Sequence, residues 1–165
     1  MPAKKKTQKT AQNSEQHLIL TLETGEVKIK LRPDLAPNHV ERITILSNEG
    51  FYDGVVFHRV IAGFMAQTGD PTGTGSGGSN YPDLKAEFSQ ESHVRGTVSM
   101  ARTNDPHSAN SQFFICYDDA EWLDGQYSIW GQVVSGMEWI DALPKGQGQS
   151  GMVANPAKII KARVE

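Results

Sequence analysis

Val27, Ile29 and Leu31 alternate with Lys28, Lys30 and Arg32. A period of two marks a strand with one face buried. Leu18, Leu20 and Leu22 alternate in the same way just upstream, with Thr24-Gly25 between the two runs. The pair reads as a β-hairpin, Gly25 supplying the positive φ of a tight turn. The period then changes. Val40, Ile43 and Leu46 recur at helical spacing, Pro37 suits a first helical turn and Gly50 a stop, which predicts a helix over about 37–48. Short segments follow at 55–60, 63–68, 96–101, 112–116 and 128–134, most of them rich in Val, Ile, Phe, Thr or Trp and separated by glycine-rich turns. Met137, Ile140 and Leu143 share a face of a second helix over 136–143, which Pro144 ends. Lys158 to Val164 closes the chain as another alternating strand. Periodicity alone gives a mainly β chain, a barrel or a sandwich. Seven or eight short strands with two helices point to a closed antiparallel barrel.

The 165 residues make one domain by length, and 38% hydrophobic residues suffice for one core. No apolar run approaches the ~20 residues needed to cross a bilayer, so no membrane partner is expected. Charge is uneven. Residues 1–16 carry Lys4, Lys5, Lys6 and Lys9 against Glu15, a net of +3, and the remainder carries −6. The first 16 residues are polar and aperiodic, so a disordered basic tail is expected. Its lysines are followed by Thr, Gln and Asn rather than an apolar stretch. A secretory signal is therefore not expected and a cytoplasmic location is. The plain reading of the tail is a solvated segment. The sharper one is a weak contact with nucleic acid or an anionic surface, which the acidic body disfavours.

Several familiar motifs fail on context. Gly73 to Gly78 spells G-x-G-x-x-G, but Ser79-Asn80-Tyr81-Pro82 follows where a helix should open. The segment reads as a flexible Gly/Ser surface loop. None of His17, His39, His58, His93 and His107 stands four residues from another, and Cys116 is the one cysteine, so neither a metal site nor a disulfide is expected. No hydrolase elbow is present. Cys116 lies in a Phe-Phe-Ile-Cys run, where a buried inert thiol is expected.

Three stretches stand apart from generic β protein: Phe57 to Asp70 (FHRVIAGFMAQTGD), Gly96 to Arg102 (GTVSMAR) running on through Ser111 to Ile115 (SQFFI), and Glu121 to Tyr127 (EWLDGQY). Together they resemble the cyclophilin family of peptidyl-prolyl cis-trans isomerases, over about residues 17–164. Met-Ala-Arg-Thr followed by Pro-His-Ser-Ala resembles the bacterial branch. The resemblance implies an eight-stranded antiparallel barrel with a helix at each open end, and a site on its outer face. It implies an isomerase domain over 17–165 that needs no cofactor and acts as a monomer on proline-containing peptides and unfolded proteins.

The family's site residues carry over residue by residue. Arg59 matches the catalytic arginine. Phe64, Met65, Phe114 and Leu123 match the walls of a proline pocket, and Gln67 and Gln112 match groups that hold the substrate backbone. Ala101 and Arg102 match a segment that pairs with the peptide through its main chain, and Thr103 continues that rim. Trp122 matches an indole at the pocket's edge that favours cyclosporin binding. Tyr127 stands where many members have histidine, and Arg102 where eukaryotic members have asparagine. One extra residue lies between Arg102 and Gln112. Phe113 and Phe114 are neighbours on a strand and must face opposite ways. The resemblance gives Phe114 to the cleft and Phe113 to the core. The residue types suit the chemistry: rotation about X-Pro requires no nucleophile, only a site that favours the twisted amide. Three readings compete: a prolyl isomerase that assists folding, a module or chaperone that captures proline segments with little turnover, and a nucleic-acid-associated protein acting through the tail.

Overall fold

The computed structural model describes residues 15–165. The predicted tail falls outside these, apart from Glu15 and Gln16. The Gln16 carbonyl accepts the Leu31 N–H at 2.9 Å. In chain order come β1 (His17–Leu22), β2 (Glu26–Leu31), α1 (Pro37–Asn48), β3 (Arg59–Ile61), β4 (Met65–Thr68), β5 (Thr97–Met100) and β6 (Phe113–Cys116). A single 3₁₀ turn (Glu121–Leu123), β7 (Ile129–Ser135), α2 (Met137–Asp141) and β8 (Ile159–Val164) complete the chain.

The strands form one antiparallel sheet in the order β3-β4-β6-β5-β7-β2-β1-β8. It curls so that Leu18, Leu20, Val27, Ile29, Val60, Val98, Phe113, Ile115 and Trp130 meet inside, each fully buried. Helix α1 packs on β8 and β7, and α2 on β2. Ala36 at the start of α1 has no side-chain cap. Glu87, 48 residues away from His39, takes that role and accepts the N–H groups of Asn38 and His39 at 3.3 and 2.9 Å.

Two expectations are corrected. The barrel is not fully closed. Between β3 and β8 there is no ladder. Instead Phe57 N–H donates to the Ala157 carbonyl and Ile159 N–H to the Val55 carbonyl, both at 2.8 Å, with isolated bridges such as Val56–Lys158. Pro156 lies in this seam and has no N–H to extend a ladder. The predicted strand over 55–60 therefore starts only at Arg59. Gly25 also serves differently. It has no positive φ, but a Cβ there would lie 2.4 Å from the Trp139 indole nitrogen. The hairpin turn needs glycine because the α2 indole packs on its backbone.

Strands β5 and β6 are buried on both faces. Phe113 and Ile115 point into the barrel, while Phe114 and Cys116 belong to a second apolar cluster with Met65, Ala120 and Leu123. That cluster lies on the outer face of β4 and β6, and it positions the site. Cys116 sits within it, fully buried, and burial pushes its thiol up to about 12. A thiol-labelling reagent at pH 8 should leave the native chain unmodified and react once denaturant unfolds it. Labelling of the native chain at a comparable rate would contradict this burial.

Candidate functional site

Register builds the site. On the β3–β4 pair Arg59 stands opposite Gln67, and on the β4–β6 pair Gln67 stands opposite Phe114. Cross-strand partners share a face, so the three side chains lie abreast on the outside of the sheet. Met65, two residues from Gln67, points the same way. The β5–β6 register places Ser99 next in this row, behind Phe114.

The row borders a pocket of about 120 Å³ lined by Arg59, Phe64, Met65, Gln67, Ala101, Arg102, Phe114, Leu123 and Tyr127. Its floor and far wall are apolar. Phe114 meets Tyr127 edge to face at 5.6 Å between centroids. Arg59 occupies the opposite side and is held at two atoms. Its Nη1 donates to Gln67 Oε1 at 3.1 Å and its Nε to the Ser150 carbonyl at 2.8 Å. Nη2 has no partner among the described residues. Gln67 passes the chain of amides on, its Nε2 donating to Gln112 Oε1 at 2.9 Å. Gln112 Nε2 in turn reaches the carbonyls of Gly75 and Gly77 at 3.0 and 2.9 Å. Both glutamines thus have their amide orientation set by neighbours, so Arg59 rests on an oriented acceptor.

A wider groove of about 620 Å³ adjoins the pocket and shares Gln67, Ala101 and Arg102 with it. Thr103 and Gln112 line this groove rather than the pocket. Its far wall is the glycine-rich segment 75–79. Composition predicts a flexible surface loop here, yet the segment folds around Asp70. That fully buried carboxylate accepts the N–H groups of Thr72 and Thr74 at 2.8 and 3.1 Å, the N–H of Gly75, and the Thr72 hydroxyl at 2.8 Å. Burial alone would raise the Asp70 carboxyl, but these donors outweigh it and hold the group far below the usual carboxylate range. A Cβ on Gly77 would lie 2.2 Å from Asp70 Oδ1, so glycine is required there.

Two of the carried-over residues sit differently from the rest. Trp122 does not line the pocket. It stands on the rim, 65% exposed, its ring 5.7 Å from that of Phe64. Arg102 does not project its charge freely. Its guanidinium carbon lies 4.6 Å from the Tyr127 ring centre, and its Nε and Nη1 donate to the carbonyls of Gln126 and Thr103, both at 2.9 Å. The arginine and the tyrosine that depart from the wider pattern therefore contact each other. Ala101 N–H is engaged by the Gln112 carbonyl at 3.0 Å. Sequence reasoning misses the Ser150 carbonyl, because every residue has one and nothing marks this one out. It also misses the network behind Phe114, where buried His93 bonds to Asp124 and Ser99.

No group of three or more His, Cys, Asp or Glu among the described residues is arranged to hold a metal ion. No described helix is long and apolar enough to cross a membrane.

The model of the family described as cyclophilin type peptidyl-prolyl cis-trans isomerase matches residues 17–164. A Brucella suis protein named "Probable peptidyl-prolyl cis-trans isomerase" is 55% identical, over 94% of this chain and 86% of its own. The Rattus norvegicus "Peptidyl-prolyl cis-trans isomerase-like 3" is 43% identical, over 78% of this chain and 81% of its own. Among solved structures, a cyclophilin type peptidyl-prolyl cis-trans isomerase of Cryptosporidium parvum superposes with a TM-score of 0.84 at 30% identity, covering 92% of this chain and 98% of that one. A second structure of the Cryptosporidium protein, determined in the presence of the dipeptide Ala-Pro, gives 0.82 at 29% identity, covering 90% and 98%.

Proposed function

From the premise that this chain belongs to the cyclophilin-type peptidyl-prolyl cis-trans isomerase family, we propose how its own residues carry out the family's reaction. The chain is an enzyme that interconverts the cis and trans forms of X-Pro peptide bonds. Amide resonance sets a barrier of ~18–20 kcal/mol, and X-Pro bonds exchange over tens to hundreds of seconds unaided. No covalent bond breaks. As the bond twists, the nitrogen lone pair localises and becomes a better acceptor. Nη2 of Arg59 is the unengaged donor that meets it. The proline ring fills the apolar pocket formed by Phe64, Met65, Phe114 and Leu123. The chain flanking it lies in the wider groove along Gln67, Gln112 and the main chain of 101–103. One side of the bond is then held while the other turns, and the twisted form is favoured over both planar ones.

The observation that carries this reading is the row Arg59–Gln67–Phe114. It sets an oriented cation and an apolar pocket of proline size on two sides of one small cavity. The test is cis–trans exchange of a short X-Pro peptide, followed by NMR. Exchange many times faster than in buffer is the expected result. Binding without acceleration would mean a proline-capture module.

The rate should be level between about pH 6 and 9, because a guanidinium keeps its proton throughout. Burial lowers the pKa of His39, His58 and His93. A lowered imidazole takes its proton at a lower pH than a free one, so burial keeps these three neutral over more of that range. A rate that falls with a midpoint near 6.5 would put a histidine in the reaction.

The natural clients we propose are unfolded segments with accessible X-Pro bonds, the protein acting as a folding assistant. Exposed Trp122 beside Phe64 supports cyclosporin binding at the rim. Tryptophan fluorescence should saturate at micromolar drug, and the response should vanish in Trp122→Ala. A wild-type titration without saturation refutes it.

A further inference from the structure

The reaction uses no histidine, yet one is buried directly behind the pocket wall. His93 is 1% exposed and stacks on the hidden face of Phe114, with ring centroids 6.1 Å apart and planes 14° from parallel. Its edge meets Tyr127 at 6.4 Å. The imidazole Nδ1 lies 3.0 Å from Asp124 Oδ1, and Nε2 lies 3.0 Å from Ser99 Oγ. The backbone joins in. His93 N–H donates to Asp124 Oδ1 at 2.6 Å, and the His93 carbonyl accepts Ala120 N–H at 2.9 Å. Asp124 ends the 3₁₀ turn that carries Leu123. One side chain thus touches or ties down three of the pocket's walls: Phe114 by stacking, Tyr127 by its edge, and Leu123 through Asp124.

We propose that His93 is a positioning residue, whose bonds to Asp124 and Ser99 fix the plane on which Phe114 and Tyr127 receive the proline ring. The inference rests on the assignment of Phe114 to the proline pocket.

The proton arrangement follows from the partners. The Asp124 carboxylate is held below its usual range, first by the His93 N–H bond, and an ionised carboxylate only accepts. Nδ1 therefore carries the hydrogen and Nε2 accepts from the Ser99 hydroxyl. The Ser128 carbonyl, 3.1 Å from Ser99 Oγ, is a second acceptor for that same hydroxyl. If His93 gains a proton, Nε2–H donates to Ser99 Oγ and the hydroxyl turns to Ser128. Both charge states are satisfied without movement of a heavy atom. Burial favours the neutral one. The wall is therefore held by bonds that survive a change of charge, which suits a positioning role and not a switch. The other side chains against the ring, Phe114 and Tyr127, are aromatic and add no carboxylate or cation beside it.

The test is His93→Phe, which keeps a flat ring for stacking and removes both hydrogen bonds. In the folded variant KM for an X-Pro peptide should rise about tenfold with kcat within about twofold. In a Phe114→Ala background the same change should add little, because His93 acts through that wall. Asp124→Asn, which keeps the shape and weakens the bond, should raise KM several-fold, and it serves if His93→Phe does not fold. KM unchanged in the folded variants overturns the proposal. So does a rise that simply adds to that of Phe114→Ala, since that is the signature of general loosening. If Phe114→Ala itself leaves KM unchanged, the pocket assignment fails and takes this inference with it.

Discussion

Arg59→Ala slows cis–trans exchange of a bound X-Pro peptide by about ten- to a hundredfold while leaving the fold and most of the peptide affinity intact. The size follows from the single interaction removed. A hydrogen bond from a charged donor is worth about 1.5–3 kcal/mol, and each ~1.4 kcal/mol that acts only on the twisted form is tenfold in rate. The interaction is absent in the planar amide, so the loss falls on kcat and not on KM. Arg59 is half-buried on the sheet's outer face, and its bonds run to Gln67 and to the Ser150 carbonyl, neither in the barrel core. Arg59→Lys should recover little. One ammonium cannot hold Gln67 and Ser150 and still present a free donor to the amide nitrogen. NMR exchange measures the rate, and peptide chemical-shift titration measures affinity. A rate within twofold of wild type in Arg59→Ala would place the catalytic burden on the pocket and groove alone.

The second large effect separates two neighbours. Phe113→Ala should cost about 3–5 kcal/mol of stability, the usual range for emptying a core aromatic site. Phe113 is fully buried inside the barrel, edge to face with Tyr52 at 5.5 Å and Trp130 at 5.2 Å. For a chain of this length the loss lowers the melting temperature by about 10 °C or more. Phe114→Ala should cost about 1–3 kcal/mol, because its ring lies in the smaller outer cluster beside an open pocket. Its main effect is a rise in KM of about tenfold or more. Thermal unfolding and the exchange assay, run on both variants, decide the matter. A Phe113→Ala protein that melts like wild type, or a Phe114→Ala protein with native KM, would reverse the assignment of faces.

That pair shows how far sequence reasoning reaches. Adjacent strand residues must face opposite ways, so the sequence establishes that one phenylalanine is inside and one is not. It does not say which, because both flanks are apolar and strand β6 is buried on both faces. The family resemblance supplies the choice, and the register Gln67–Phe114 supplies its physical cause. The hairpin shows the same division. Alternation locates β1 and β2, but the reason for Gly25 is an indole from a helix more than a hundred residues later. At 73–78 the proline that follows the glycines is enough to set aside a dinucleotide-binding helix. The ordering of that segment depends on the buried Asp70 carboxylate, which composition does not reveal.

The side chains of the pocket are legible only through the family resemblance; periodicity is written locally, and so the strands and the helix over 37–48 are legible in the chain itself. Each depends on residues a few positions apart. The seam between β3 and β8, the Ser150 carbonyl on Arg59, the Glu87 cap on α1 and the His93 bracket behind Phe114 are not legible in that way. Each joins groups that are distant in sequence, and several of the partners are backbone atoms common to every residue. Only the strand register and the curl of the sheet decide which of those identical carbonyls and amides come within hydrogen-bonding reach.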